Sequence, residues 1–274
     1  MSVVKTENIY LSNTYALKKF TVGLYTGCIN RQKSIPAELL YHHQISGLLQ
    51  EEFPLTDFQL ELGSYLCYAY FRKAAIHFIK NKHPDFAFIF LRKFPLMLLN
   101  KPFIKYKTRN EKVVWTRHPM LFNRRKFEWD NKFSKYEKEI DFNTKRRHLI
   151  ELRDFNLLAG LLLGLNRWCI KFLLNDILAI SDDINCSCKN LFIVSLMRSP
   201  DSLMGSYICK ITNDRIRRKL PANLEWIDIF QIPKSSYHTD NIHYNIKGHT
   251  QVAQILFSAI SKTIALNNNA VSVE

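Results

Sequence analysis

The chain has 274 residues, 47% of them hydrophobic and 13% aromatic, enough for a sizeable buried core and outside the range of disordered chains. Lys and Arg number 39 against 24 Asp and Glu, a formal net charge of +15 that draws anionic partners or surfaces without naming one. No stretch reaches the roughly 18 consecutive apolar residues of a spanning helix, and the N-terminal MSVVKTENIYLSN lacks the apolar core of a secretory signal, so a cytoplasmic protein is expected. Six cysteines (Cys28, Cys67, Cys169, Cys186, Cys188 and Cys209) are too sparse for a disulfide scaffold and read as reduced.

In chain order, residues 20–26 (FTVGLYT) read as a strand, 36–52 as a helix, 58–63 (FQLELG) as a strand, 65–81 as a helix and 85–91 (DFAFIFL) as a third strand. Residues 101–147 then depart from the pattern, with 15 Lys and Arg against 6 Asp and Glu and nine interleaved aromatics. That is too long for an ordinary connection, and it reads as a basic, aromatic insertion after the third strand covering the carboxyl edge of the sheet. Its densest clusters, Arg124-Arg125-Lys126 and Lys145-Arg146-Arg147, could grip an anion, although basic side chains lying over apolar surface would look the same. No nucleic-acid-binding module is matched, so nucleic acid is a partner on charge alone, and an anionic glycan or lipid head group suits the segment equally.

Residues 146–180 follow as a helix whose apolar run at 157–165 (LLAGLLLGL) is read as buried; then come a strand at 191–196, a helix at 202–219, a strand at 224–230 and an amphipathic helix at 246–266. The tail after Asn267 is read as frayed. Strands apolar on both faces, alternating with helices, call for a parallel sheet covered by crossovers on either side, within one α/β domain over 1–274. Cys186 and Cys188 lack a second ligand pair, and His42-His43 has no further ligand at helical spacing, so no metal site is assigned. Eight glycines and no phosphate loop argue against a nucleotide cofactor.

Chemistry concentrates near the C-terminus, in Asp240-x-x-His243-x-Asn245-x-x-Gly248-His249 before the last helix. An Asp three residues ahead of a His can hold the imidazole in one tautomer and stabilise its protonated form, which is how a general base is set up. This string, with residues 227–230 (IDIF) upstream, resembles the terminal motif of the SGNH (GDSL-type) hydrolase superfamily. The resemblance extends over about residues 20–266, within a domain core of about 18–268, and is strongest over the final third. It implies a three-layer α/β/α, flavodoxin-like domain with a five-stranded parallel sheet, cofactor-free, hydrolysing or transferring acyl groups on carbohydrates and other esters. It further implies His243 as base, Asp240 as its partner and the Gly63 N–H as an oxyanion donor.

The family's other two motifs are missing. Where its Gly-Asp-Ser would stand the chain reads Gly23-Leu24-Tyr25-Thr26-Gly27-Cys28, and where its Gly-x-Asn-Asp would stand it reads Phe90-Leu91-Arg92-Lys93. Two readings follow. In one, Cys28 or Thr26 is the nucleophile, Arg92 stabilises the oxyanion, and the substrate is a small-molecule or glycan ester of anionic character. In the other, the protein is catalytically silent and binds an anionic glycan or other polyanion.

Overall fold

The computed structural model describes residues 8–9, 18–26, 35–64, 71–92, 103–107, 113–117, 157–162, 164–184, 187–200, 202–238 and 243–271. In chain order the elements are β1 (Asn8–Ile9), β2 (Lys18–Thr26), α1 (Tyr41–Glu52), β3 (Thr56–Ser64), α2 (Phe71–Lys82), β4 (Phe86–Phe90), β5 (Phe103–Lys107), β6 (Val113–Arg117), α3 (Leu165–Ile184), β7 (Asn190–Val194), α4 (Leu203–Arg217), β8 (Glu225–Ile227) and α5 (Ile246–Val271). Five strands are parallel in the order β3-β2-β4-β7-β8, and the two-residue β1 adds an antiparallel edge beside β3. Among the parallel strands, chain order starts inside the sheet at β2 and winds outward both ways. Such a doubly wound sheet opens a crevice at the carboxyl ends of the strands where the winding reverses, here between β2 and β4.

Period-two alternation sorts the strand side chains between two apolar layers. Along β4, Phe86, Phe88 and Phe90 face α1 and α5 with Val22, Leu24 and Phe192, and Phe88 stacks on Phe192 at 4.5 Å between ring centroids. Ala87 and Ile89 face the opposite way with Tyr25 and Ile193, under α2, α3 and α4. The result is the expected α/β/α sandwich. At the amino edge Asp85 joins three strands: its Oδ2 accepts the Thr21 N–H (2.8 Å), its own N–H donates to the Thr21 carbonyl (2.8 Å), and its carbonyl accepts from Asn190 Nδ2 (2.9 Å).

Several expectations change at their boundaries. The helix expected from residue 36 begins at Tyr41 because a 3-10 turn, Ala37–Leu39, follows Pro36. The last parallel strand stops at Ile227, where the Asp228 carboxylate accepts the Phe230 N–H at 2.8 Å and turns the chain. The long helix across residue 164 is interrupted by Gly164 at φ +71°, a conformation glycine adopts without penalty. Within the run read as buried, Leu157 and Gly160 are buried, whereas Leu158 and Leu162 are exposed. The frayed tail is corrected too, since α5 continues to Val271.

Within the basic segment 101–147, β5 and β6 pair antiparallel, and the rest of it, including both densest clusters, lies outside the described residues. Cys169, Cys188 and Cys209 are not joined in disulfides. Among the described residues no helix is long and apolar enough to cross a membrane.

Replacing Asp85 with Ala removes the charged acceptor of the Thr21 N–H. Denaturant unfolding should show a loss of about 1.5–3 kcal/mol, the usual worth of a hydrogen bond to a charged group.

Candidate active site

The motif string near the C-terminus builds a closed loop before it offers any chemistry. Tyr237 and Tyr244 form an antiparallel bridge, the His238 N–H donates to the His243 carbonyl (2.9 Å), and the Asn245 N–H donates to the Ser236 carbonyl (3.0 Å). The Asn245 amide donates to the carbonyls of Ser235 (2.8 Å) and Tyr237 (3.2 Å), while its Oδ1 accepts the Gly248 N–H (3.1 Å) and so caps α5. Gly248 has no room for a side chain: a Cβ would meet the Ser236 carbonyl oxygen and lie 2.8 Å from the Tyr244 ring. Asn245 and Gly248 thus hold the loop, and His243 stands half-buried on it.

His249, six residues on, turns into the fold. Its Nδ1 accepts the Tyr41 N–H at 3.3 Å and its ring lies parallel to the Tyr41 ring, 5.9 Å between centroids. Leu40, the N-cap of α1, supplies no side-chain acceptor, so an imidazole from the far end of the chain serves one of the helix's open N–H groups. That bond requires Nδ1 unprotonated. Burial pushes the His249 pKa down to about 4, with the His238 and His243 imidazoles adding to the shift. His42 is pushed down to about 3, again first by burial and then by His43 and His249. The Tyr41 hydroxyl is hydrogen-bonded to the Thr26 side chain, and burial holds the phenol protonated far above its ordinary range. A chain of contacts therefore runs from the end of β2 through Tyr41 and His249 toward His243.

Of the other residues singled out by sequence, Thr26 is fully buried at the end of β2. Gly63 lies beside Tyr25 in the β2–β3 register, and a Cβ there would come within 2.7 Å of the Phe78 ring and 2.8 Å of the Tyr25 ring. Packing alone thus demands glycine at this position. Arg92 is half-buried two residues beyond β4, next to the crevice. Cys28 and Asp240 lie outside the described residues. The Cys188 thiol, beside Asn190 at the opposite edge, is pushed up to about 11 by burial, against nucleophilic use.

Tyr41 and Ser195 escaped the sequence reading, which weighed His42 only as a metal ligand and met Asp228 only within the 227–230 string. Tyr41 carried no signal, because the partner that gives it meaning lies 208 positions away. Ser195 and Asp228 join the loops after β7 and β8: the Ser195 hydroxyl donates to Asp228 Oδ1 (3.3 Å) and accepts the Ile229 N–H (2.9 Å). Among the described residues no group of three or more His, Cys, Asp or Glu is arranged to hold a metal ion.

No family model matches the chain, and no curated protein matches it in sequence. Solved structures to which it is similar include a catalytic mutant of the acetylxylan esterase Axe2 from Geobacillus stearothermophilus, at 10% identity and a TM-score of 0.48, covering 87% of this chain and 93% of that one. A family 3 carbohydrate esterase from Clostridium thermocellum is similar at 11% identity and a TM-score of 0.48, covering 90% and 98%. The esterase EstA from a Pseudoalteromonas species, inhibited by monoethylphosphonate, is similar at 8% identity and a TM-score of 0.45, covering 89% and 98%.

Two measurements check this geometry. An unfolded histidine binds its proton near pH 6.5, whereas folded His249 and His42 do so near 4 and 3, so below pH 6.5 the unfolded chain holds more protons and stability falls with acidification. Urea unfolding should lose up to about 1.4 kcal/mol per pH unit for each group between pH 6.5 and 4. His249→Asn, whose amide oxygen takes the place of Nδ1, should flatten that slope; an unchanged slope would contradict the assignment. Gly63→Ala should cost about 1–3 kcal/mol of stability by overpacking Phe78 and Tyr25, whatever it does to activity.

Proposed function

We propose that the protein is a divergent SGNH-like ester hydrolase acting on an acylated carbohydrate or similar ester, with His243 as general base and Asp240 as the carboxylate that orients it. What supports the reading is the coupling just described: the loop bearing His243 is tied through His249 and Tyr41 to Thr26 at the end of β2. That is the edge at which a doubly wound sheet receives ligands. In this reading the nucleophile sits on the turn after β2, with Cys28 the better candidate, since Thr26 is buried with its hydroxyl on Tyr41. His243 takes the thiol proton as sulfur attacks the ester carbonyl, and returns it to the departing alkoxide. Water, deprotonated by the same imidazole, then releases the acid and regenerates the thiol. Arg92 and the Gly63 N–H are the proposed stabilisers of the oxyanion, and Arg92 suits an anionic substrate.

The sequestered Thr26 hydroxyl also favours a second reading, a catalytically silent protein whose crevice binds an anionic glycan or other polyanion.

Labelling with a fluorophosphonate and with a thiol-reactive acyl probe, mapped by mass spectrometry, separates the two. The hydrolase reading expects modification at Cys28 that His243→Ala slows by about 100-fold or more, the usual contribution of a positioned base. Absence of labelling by either probe, or labelling indifferent to His243, would leave the binding reading in its place.

A further inference from the structure

Five of the nine histidines gather at one edge: His42 and His43 at the start of α1, His249 in the first turn of α5, and His238 and His243 on the loop before it. The His42 and His43 rings lie 4.6 Å apart between centroids, His249 acts electrostatically on His42, and His238 and His243 act on His249. His42 and His249 are 1% and 0% exposed, and His42 Nδ1 is buried without a hydrogen-bond partner.

The contact that ties the two helix ends together works with one protonation state only. His249 Nδ1 accepts the Tyr41 N–H at 3.3 Å, and once protonated the same nitrogen would set a second N–H against that donor. A cation there would also stand at the positive dipole ends of both α1 and α5. The groups on the surrounding elements do not offset it. Glu38 of the 3-10 turn is exposed, and Glu51 and Glu52 lie at the far end of α1. Lys234 and Lys247 are exposed cations, Arg198 acts on Tyr237, and burial holds Tyr41, Tyr237 and Tyr244 protonated; Asp240 lies outside the described residues. Further along, Ile45 and Leu49 of α1 share an apolar core with Val252, Leu256 and Ile260 of α5, contacts that no proton alters.

We propose that the contact between His249 and Tyr41 is a proton-operated latch: in acid, a proton taken up by His249 releases the first turn of α5 and the loop bearing His243 from α1, while the sheet and the apolar helix contacts stay folded. Closed, the latch ties that loop through Tyr41 to Thr26 at the end of β2. Open, it undoes the edge. Released His249 binds its proton near pH 6.5 and latched His249 near 4, so between these values the closed form loses ground by about tenfold per pH unit. The inference goes beyond the proposed activity and stands without it.

Amide hydrogen exchange of the full-length protein, read by NMR between pH 6.5 and 4 and corrected for the intrinsic dependence on hydroxide, tests it. We expect the Tyr41 N–H to exchange at least tenfold faster than the amides of β4 throughout this range. Its opening equilibrium should rise about tenfold per pH unit and return on neutralisation. H249N, whose amide oxygen accepts the same N–H without titrating, should take about tenfold per pH unit off that dependence. The wild-type comparison of Tyr41 with β4 decides the matter even where H249N does not fold. The proposal is overturned if Tyr41 exchanges at the rate of β4, because the contact then breaks only with the whole fold. It is equally overturned if the opening is indifferent to pH or if folded H249N keeps the wild-type dependence. Labelling at Cys28 reports separately on the hydrolase reading, since a protein that takes up neither probe still shows the latch in its exchange.

Discussion

Every parallel strand of this sheet must be covered on both faces, and that constraint dictates where chemistry can reside. Phe86, Phe88 and Phe90 point one way and Ala87 and Ile89 the other, all buried, so β4 has no side chain left for a ligand. The same holds for most of β2 and β7. Functional groups are displaced to the loops beyond the strands, and the reversal of winding between β2 and β4 leaves those loops apart at one place.

What closes that edge is a contact between two helices of the same layer. α1 begins with an open N–H at Tyr41, and α5 brings His249 to accept it. A cation would be repelled by the positive end of the helix dipole, so the neutral imidazole is the form that the position favours, in agreement with the depressed pKa. Two histidines of one motif thereby take different parts. His249 is bound into the fold, and His243 stands half-buried on a loop held by Asn245 and Gly248.

On the other side of the crevice the loops after β7 and β8 are held by short polar side chains. Ser195 and Asp228 bridge the two loops, and Asn213 of α4 pairs with both backbone groups of Leu196, accepting its N–H at 2.9 Å and donating to its carbonyl at 3.0 Å. The edge is therefore framed by polar side chains that tie its loops together.

The sequence by itself determined the layered α/β architecture, since five apolar runs of strand length separated by helical periodicity have one economical arrangement, a parallel sheet between helices. It also marked the string around His243 as the place to look. Boundaries were less legible where a side chain overrides propensity, as when Asp228 ends β8 by accepting the Phe230 N–H. Only the tertiary structure decided what each residue of that string does, because the partners come from elsewhere: Tyr41 for His249, Ser236 for Gly248, Phe78 and Tyr25 for Gly63. It alone decided the fate of the run at 157–165 as well. Hydrophobicity states how strongly a side chain avoids water, but whether a neighbouring helix or solvent lies beside Leu162 and Trp168 depends on how α3 is rotated on the sheet, which periodicity in one segment does not contain.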